Sequence, residues 1–190
     1  MNLVTSTSYS NGSHDVSNDV SKLDFSKLLQ EGGLELKKPA SFTQRVVHYD
    51  TTFPYEYVLR HNNDLMEIRY SIRPIDRVKI EYQDPHNSAP QPNYLFNMMF
   101  ESIITQLAST GFNPRREYPV EQSSSRFNAG WAAAAVVDVS TQYSTMFRHA
   151  LLLALHKDDL ADAYVVFLYN DYQKIKQLLD KELSTLRFVQ

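Results

Sequence analysis

The stretch FNAGWAAAAVVDVS, residues 127–140, holds the only tryptophan of the chain, followed by four alanines and a β-branched run. A helix from Trp131 to Ser140 would carry Val136, Val137 and Val139 close together. β-Branched side chains lose rotamer freedom against the preceding helical turn. As a strand, the same residues make sense. The alanines offer small side chains over which a helix can lie closely, and Asp138 and Ser140 mark the end. The stretch is therefore read as a buried strand, which makes the protein a sheet with helices laid on it.

Working outward supports that reading. Downstream, HALLLALHKDDLADAYVVFLYND (149–171) holds two runs, Leu151–Leu155 and Tyr164–Tyr169, apolar at nearly every position. Strands of this kind are covered on both faces, and the charged HKDDLAD joins them as a hairpin. Asn170 or Asp171 can cap the helix YQKIKQLLDKEL, which places Tyr172, Ile175, Leu179 and Leu183 on one face. STLRFV follows as a last extended piece.

Upstream, YLFNMMFESIITQLASTG (94–111) is the clearest helix. Phe96, Met99, Phe100, Ile103 and Leu107 form an apolar stripe, Asn93 is the expected N-cap, and Gly111 sits where a C-terminal glycine belongs. Before it, DPHNSAPQP places three prolines in nine residues and breaks the chain. Strict alternation marks LMEIRYSIRP and RVKIEYQ as half-buried strands, with PID (74–76) as a tight connection between them. YEYVLRH (55–61) is a further strand. LDFSKLLQEGG reads as a short helix with Leu23, Phe25, Leu28 and Leu29 on one stripe, ended by Gly32 or Gly33. Residues 1–22 are rich in Ser, Asn, Thr and Asp. They bury too little to offset ordering entropy, so a flexible tail is expected.

The order is strands, helix, three strands, helix, terminal strand. It argues an α+β protein, an α/β/α sandwich around a mainly antiparallel sheet. The expected division is 1–22 tail, 23–41 short helix and linker, and 42–190 a single domain.

This order, and above all AYVVFLYND followed by a helix and STLRF, resembles the close of PsbP-like domains, whose fold is shared with the Ran-binding nuclear import factor. The resemblance spans about residues 42–189. It is one of element order without a binding motif, so no family residue transfers. It implies a binding module or assembly factor without catalysis.

Composition narrows the functions. A net charge of −3 with mixed signs shows no basic excess for nucleic acid, and no basic amphipathic stretch suits a membrane surface. No apolar run reaches the ~18 residues of a membrane span. The absence of cysteine removes thiol nucleophiles and thiolate metal sites. The first residues lack a basic n-region and an apolar h-region, so a cytoplasmic protein is the expectation.

Candidate sites are few. His149 and His156 are seven apart, so on a strand they fall on opposite faces and cannot chelate together. His48, His61 and His86 have no ligand spacing. DDLAD lacks the ligand order and glycine of a calcium loop and reads as a solvated turn. No cofactor or metal is expected. No G-x-S-x-G elbow occurs, but triad members need not be close in sequence. The alternative to a binding module is thus a hydrolase-type enzyme with a scattered site.

Two surfaces remain. Arg69, Arg73, Arg77 and Lys79 would share one polar sheet face, relieved only by Glu67 and Glu81. They either pair across strands in solvent or receive an acidic protein partner. Trp131 either anchors a groove with Phe127 and Asn128 or caps the core.

Overall fold

The structure, a computed structural model, describes residues 16–48, 53–77, 91–110 and 115–189. Its frame is a seven-stranded sheet in the order β2-β3-β4-β8-β7-β6-β5. The strands are β2 (Phe42–Gln44), β3 (Tyr57–His61), β4 (Met66–Pro74), β5 (Arg115–Glu117), β6 (Trp131–Asp138), β7 (His149–Lys157) and β8 (Ala161–Tyr169). Every neighbouring pair is antiparallel. β1 (Leu34–Leu36) pairs with β9 (Leu186–Phe188) in a separate two-stranded ribbon. The helices are α1 (Val16–Glu31), α2 (Phe96–Leu107), α3 (Val120–Phe127) and α4 (Tyr172–Glu182).

The apolar runs settle at the centre, as their composition requires. β8 lies between β4 and β7, and all nine of its residues are buried. One face of the sheet is covered by Phe25 and Leu28 of α1, Ile175 and Leu179 of α4, and Leu186 and Phe188 of the ribbon. The other is covered by Phe100, Ile103, Ile104 and Leu107 of α2. Ala133, Ala135 and Val137 lie beneath that helix, and Val137 is 1% exposed. Residues 131–138 form a strand whose side under α2 is buried. The result is an α+β fold, layered helix–sheet–helix. No helix among the described residues is long and apolar enough to cross a membrane.

Several expectations shift. α1 starts at Val16, so residues 16–22 belong to a helix and not to a tail. Residues 1–15 lie outside the described part of the chain. Once Phe25 is stacked on Tyr57, ring centroids 4.5 Å apart, extending the helix backward costs little compared with nucleating it. The short helix expected within 23–41 is the later part of α1, and the linker expected after it includes β1: Phe25, Leu28 and Leu34 share one core with β4, β8 and α4. Gly33 ends α1 in the left-handed region, φ 60°.

The expected hairpin of β4 with RVKIEYQ does not form. Both edges of β4 are taken, by β3 on one side and by β8 along all nine residues on the other. Residues 75–77 turn into a helical turn instead, and 78–83 lie outside the described residues, as does Gly111. Asn93 does not cap α2. Leu95 holds that position, and Asn93 exchanges two hydrogen bonds with Asp159 in the β7–β8 turn. Asp171 does cap α4, accepting from the N–H groups of Gln173 and Lys174.

Candidate functional site

The alternating pattern of β4 has its apolar half, Met66, Ile68, Tyr70 and Ile72, against the core shared with α1 and α4. Its polar half does not face solvent. Glu67, Arg69 and Ser71 are also buried, with Glu67 only 2% exposed. Buried charge is costly unless paired and hydrogen-bonded, and the pairing comes from strand register. Arg60 on β3 stands directly opposite Glu67, and Arg69 is two residues along the same strand, on the same face. Arg60 donates to Oε2 of Glu67, with Nε at 2.8 Å. Arg69 donates from Nε to Oε1 at 2.7 Å. One carboxylate thus bridges two guanidiniums.

Arg69 is then enclosed. Its Nη1 donates to the Tyr143 carbonyl at 3.1 Å, and its guanidinium carbon lies 4.7 Å from the Tyr55 ring centroid and 4.6 Å from that of Tyr143. Cations over tyrosine faces gain about 0.5–2 kcal/mol depending on desolvation. Burial opposes the Arg69 charge, and the fields of Tyr143 and Glu67 more than restore it. Burial also pushes the Tyr143 hydroxyl up to about 12, with Arg69 pulling the other way. That hydroxyl is buried without a hydrogen-bond partner among the described residues.

The cluster opens to the surface through two clefts, of about 310 and 450 Å³. They share His48, Tyr55, Arg60, Glu67 and Arg69, so they form one trough with the ion cluster at its centre. Residues 141–147 wall one arm, and Arg45, Val46 and Asp64 the other. Each guanidinium has more N–H donors than its bonds to Glu67 and Tyr143 use. The arrangement is suited to holding an anion.

The cationic face expected from sequence is therefore not one solvated face. Arg69 is buried, because Tyr55 and Tyr143 cover it. Arg73 is half-buried, its Nη1 3.6 Å from the Met99 sulfur of α2 and its guanidinium 5.8 Å from the Tyr164 ring. Arg77 is exposed and donates from Nε to Glu31 of α1 at 2.5 Å. Lys79 and Glu81 lie outside the described residues.

Trp131 packs under α2, its ring 4.7 Å from Phe96 and 5.9 Å from Phe100. Asn128 ends α3 at φ 52° and donates to the Phe188 carbonyl. Phe127 is fully buried in the opposite core. Trp131, Phe127 and Asn128 do not form a groove. Arg60, Tyr55 and Tyr143 escaped the sequence reading, which weighs His48 only as a metal ligand. Only the facing of β3 and β4 could have found Arg60, and no spacing points to the tyrosines.

A second buried ionic cluster lies at the other end of the same sheet face. His156 is 3% exposed. Its Nδ1 is 2.7 Å from Asp162 and its Nε2 3.0 Å from Asp158, while Phe96 stacks on the ring at 4.1 Å. Burial alone would lower its pKa, but the bonds to Asp162 and Asp158 hold it above the ordinary 6.5. DDLAD is thus not wholly a solvated turn, since Asp162 is buried. Both ring nitrogens face carboxylates, so neither is placed to activate a hydroxyl. No group of three or more His, Asp or Glu side chains among the described residues is arranged to hold a metal ion. No protein-family model matches the chain, and neither does any curated protein sequence.

Proposed function

We propose that this protein is a non-enzymatic binding module of PsbP-like fold, and that its ligand site is the Arg60–Arg69 trough, which takes an acidic group of another protein in the cytoplasm. The observation that carries the reading is Arg69, buried between two tyrosine rings with one carboxylate for two guanidiniums. A structural ion pair needs no excess cation and no opening. Here there are both, and arginine forks match carboxylates in geometry and charge. The element order from β3 to β9 supports the resemblance to PsbP-like domains, and with it a module without catalysis. The buried His156 supports the same reading, since both of its ring nitrogens face carboxylates.

The test is a titration of the full chain with a short oligo-glutamate peptide, following the Nε–H resonances of Arg60 and Arg69 by NMR. Saturable shifts at both, lost in Arg60→Gln and weakened by salt, are expected. Shifts confined to Arg77 or other exposed cations would overturn the assignment.

A further inference from the structure

The two arms of the trough carry more information than its centre. Val46 is 54% exposed and lines one arm, and Met146 is 48% exposed and lines the other. Single exposed apolar side chains are ordinary on protein surfaces. Here two of them flank a buried charge cluster from opposite sides, within one continuous depression. That is the layout of a protein interface, in which a desolvated charge pair is ringed by apolar contacts that keep water out.

Charge sets a further limit. The trough is lined by Arg45, Arg60 and Arg69 against Asp64 and Glu67. Among the described residues, three arginines less two carboxylates leaves a surplus of one positive charge, with His48 beside them. A single carboxylate neutralises that surplus. A dianion such as a phosphate monoester would leave net negative charge in a site whose central members are buried, and uncompensated buried charge is what such sites avoid. Length also matters: clefts of about 310 and 450 Å³ on either side of the cluster exceed what one carboxylate fills.

Resting on the reading above, we infer that the trough binds an extended peptide segment of a partner protein with a single central Asp or Glu and an apolar side chain on each side of it. The carboxylate meets Arg60 and Arg69, and the flanking side chains cover Val46 and Met146. In an extended chain, alternate residues point the same way, so the apolar residues stand at even offsets from the acid.

The test uses fluorescent peptides and the full chain, with affinities from anisotropy. One series carries a central Asp between two leucines, with one or three serines on each side. Its controls replace Asp by Asn, both leucines by serine, or Asp by phosphoserine. N-acetyl-aspartate amide, as a competitor, reports the anion site alone. The leucine-flanked Asp peptide is expected to bind tightest. Asn should cost about tenfold or more, since a charge-assisted bond is lost. Loss of the leucines should cost several-fold. Val46→Ser and Met146→Ser, both at exposed positions and without effect on the charge of the trough, should each weaken the leucine-flanked peptide several-fold and change N-acetyl-aspartate amide much less.

If that small molecule competes with the same affinity as the peptide it mimics, or the leucines contribute nothing, the peptide inference fails while the anion site stands. If phosphoserine binds tighter than Asp, the charge-match argument fails. If Arg60→Gln binds every probe as well as the unaltered chain, both the inference and the reading beneath it fall.

Discussion

Two ionic clusters sit toward opposite ends of one face of the sheet, and α2 covers an apolar layer on that same face. At one end, two cations share one anion: Arg60, Glu67 and Arg69. At the other, one histidine lies between two anions, Asp158 and Asp162. Both are assembled by strand register, Arg60 opposite Glu67 and His156 opposite Asp162. They differ in surroundings: the first lies in a trough, and at the second the Phe96 ring stacks on His156, which is buried with Asp162 while Asp158 is exposed. A buried charge by itself is therefore not a sign of a site. On the proposed reading, a buried charge marks a site when its sign is unbalanced and it has a way in.

The strongest test attacks the apolar layer that α2 covers on that face. Val137 is buried beneath α2, in the same apolar layer as Val166 and Leu152. Val137→Asp puts an unpaired charge there, at a cost of several kcal/mol against a total stability of about 5–15 kcal/mol. No cooperative unfolding transition should remain. A soluble, cooperatively melting variant would mean that α2 does not bury the strand beneath it.

Next comes the bridging carboxylate. Glu67→Ala leaves two guanidiniums side by side, one of them enclosed by Tyr55 and Tyr143. Removing one partner of a buried ionic group costs about 3–5 kcal/mol, to be read as a fall in urea midpoint. The trough should also bind anions more tightly once Glu67 no longer competes for the arginines. A loss below about 1 kcal/mol would show the cluster to be solvated and surface-like.

The fold was legible where one helix or strand carried its own signal. β4, β6, β7, β8, α2 and α4 follow from periodicity, because burial on one or both faces writes itself into consecutive residues. The site was not. A period-2 pattern says that β4 has one apolar face but not what lies over the other. The cover comes from Tyr143, 74 residues beyond Arg69, and from Tyr55 before the strand. Likewise, the second edge of β4 is filled by β8, roughly 90 residues later, so a local hairpin looked available when it was not. α3 was missed because VEQSSSRF is short and serine-rich. It is held by Phe127, which is fully buried, and by the left-handed Asn128. α1 began earlier than composition suggested, since docking at Phe25 and Leu28 pays for its polar first turns.

The cluster around His156 makes a pH prediction. Burial pulls the pKa of His156 down, but Asp162 and Asp158 raise it above the ordinary 6.5. The folded state therefore holds the proton more tightly than the unfolded chain. This stabilisation is complete below pH 6.5 and is lost as pH rises through the raised value. The urea midpoint of the unaltered chain should decline over that window more than that of His156→Gln. Parallel profiles would mean that His156 is bound in its neutral form. Asp162→Asn should flatten the profile too and cost about 1–3 kcal/mol below pH 6.5, where it removes a charge-assisted bond.

The smallest expected effect gives the sharpest contrast. His149 and Asp138 are also cross-strand partners, on β7 and β6, and their contact is also 2.7 Å. Distance does not distinguish them from His156 and Asp162. Burial does: the side chains of His149 and Asp138 are 41% and 71% exposed, against 4% and 7% for the buried pair. In water the Coulomb attraction is screened, and holding two side chains in one geometry costs entropy, so exposed pairs contribute about 0–1 kcal/mol. Asp138→Asn should leave the urea midpoint and its pH profile close to those of the unaltered chain, while Asp162→Asn alters both. Equal losses from the two substitutions would show that contact distance alone governs these pairs. The burial of His156 and Asp162 would then have no energetic meaning.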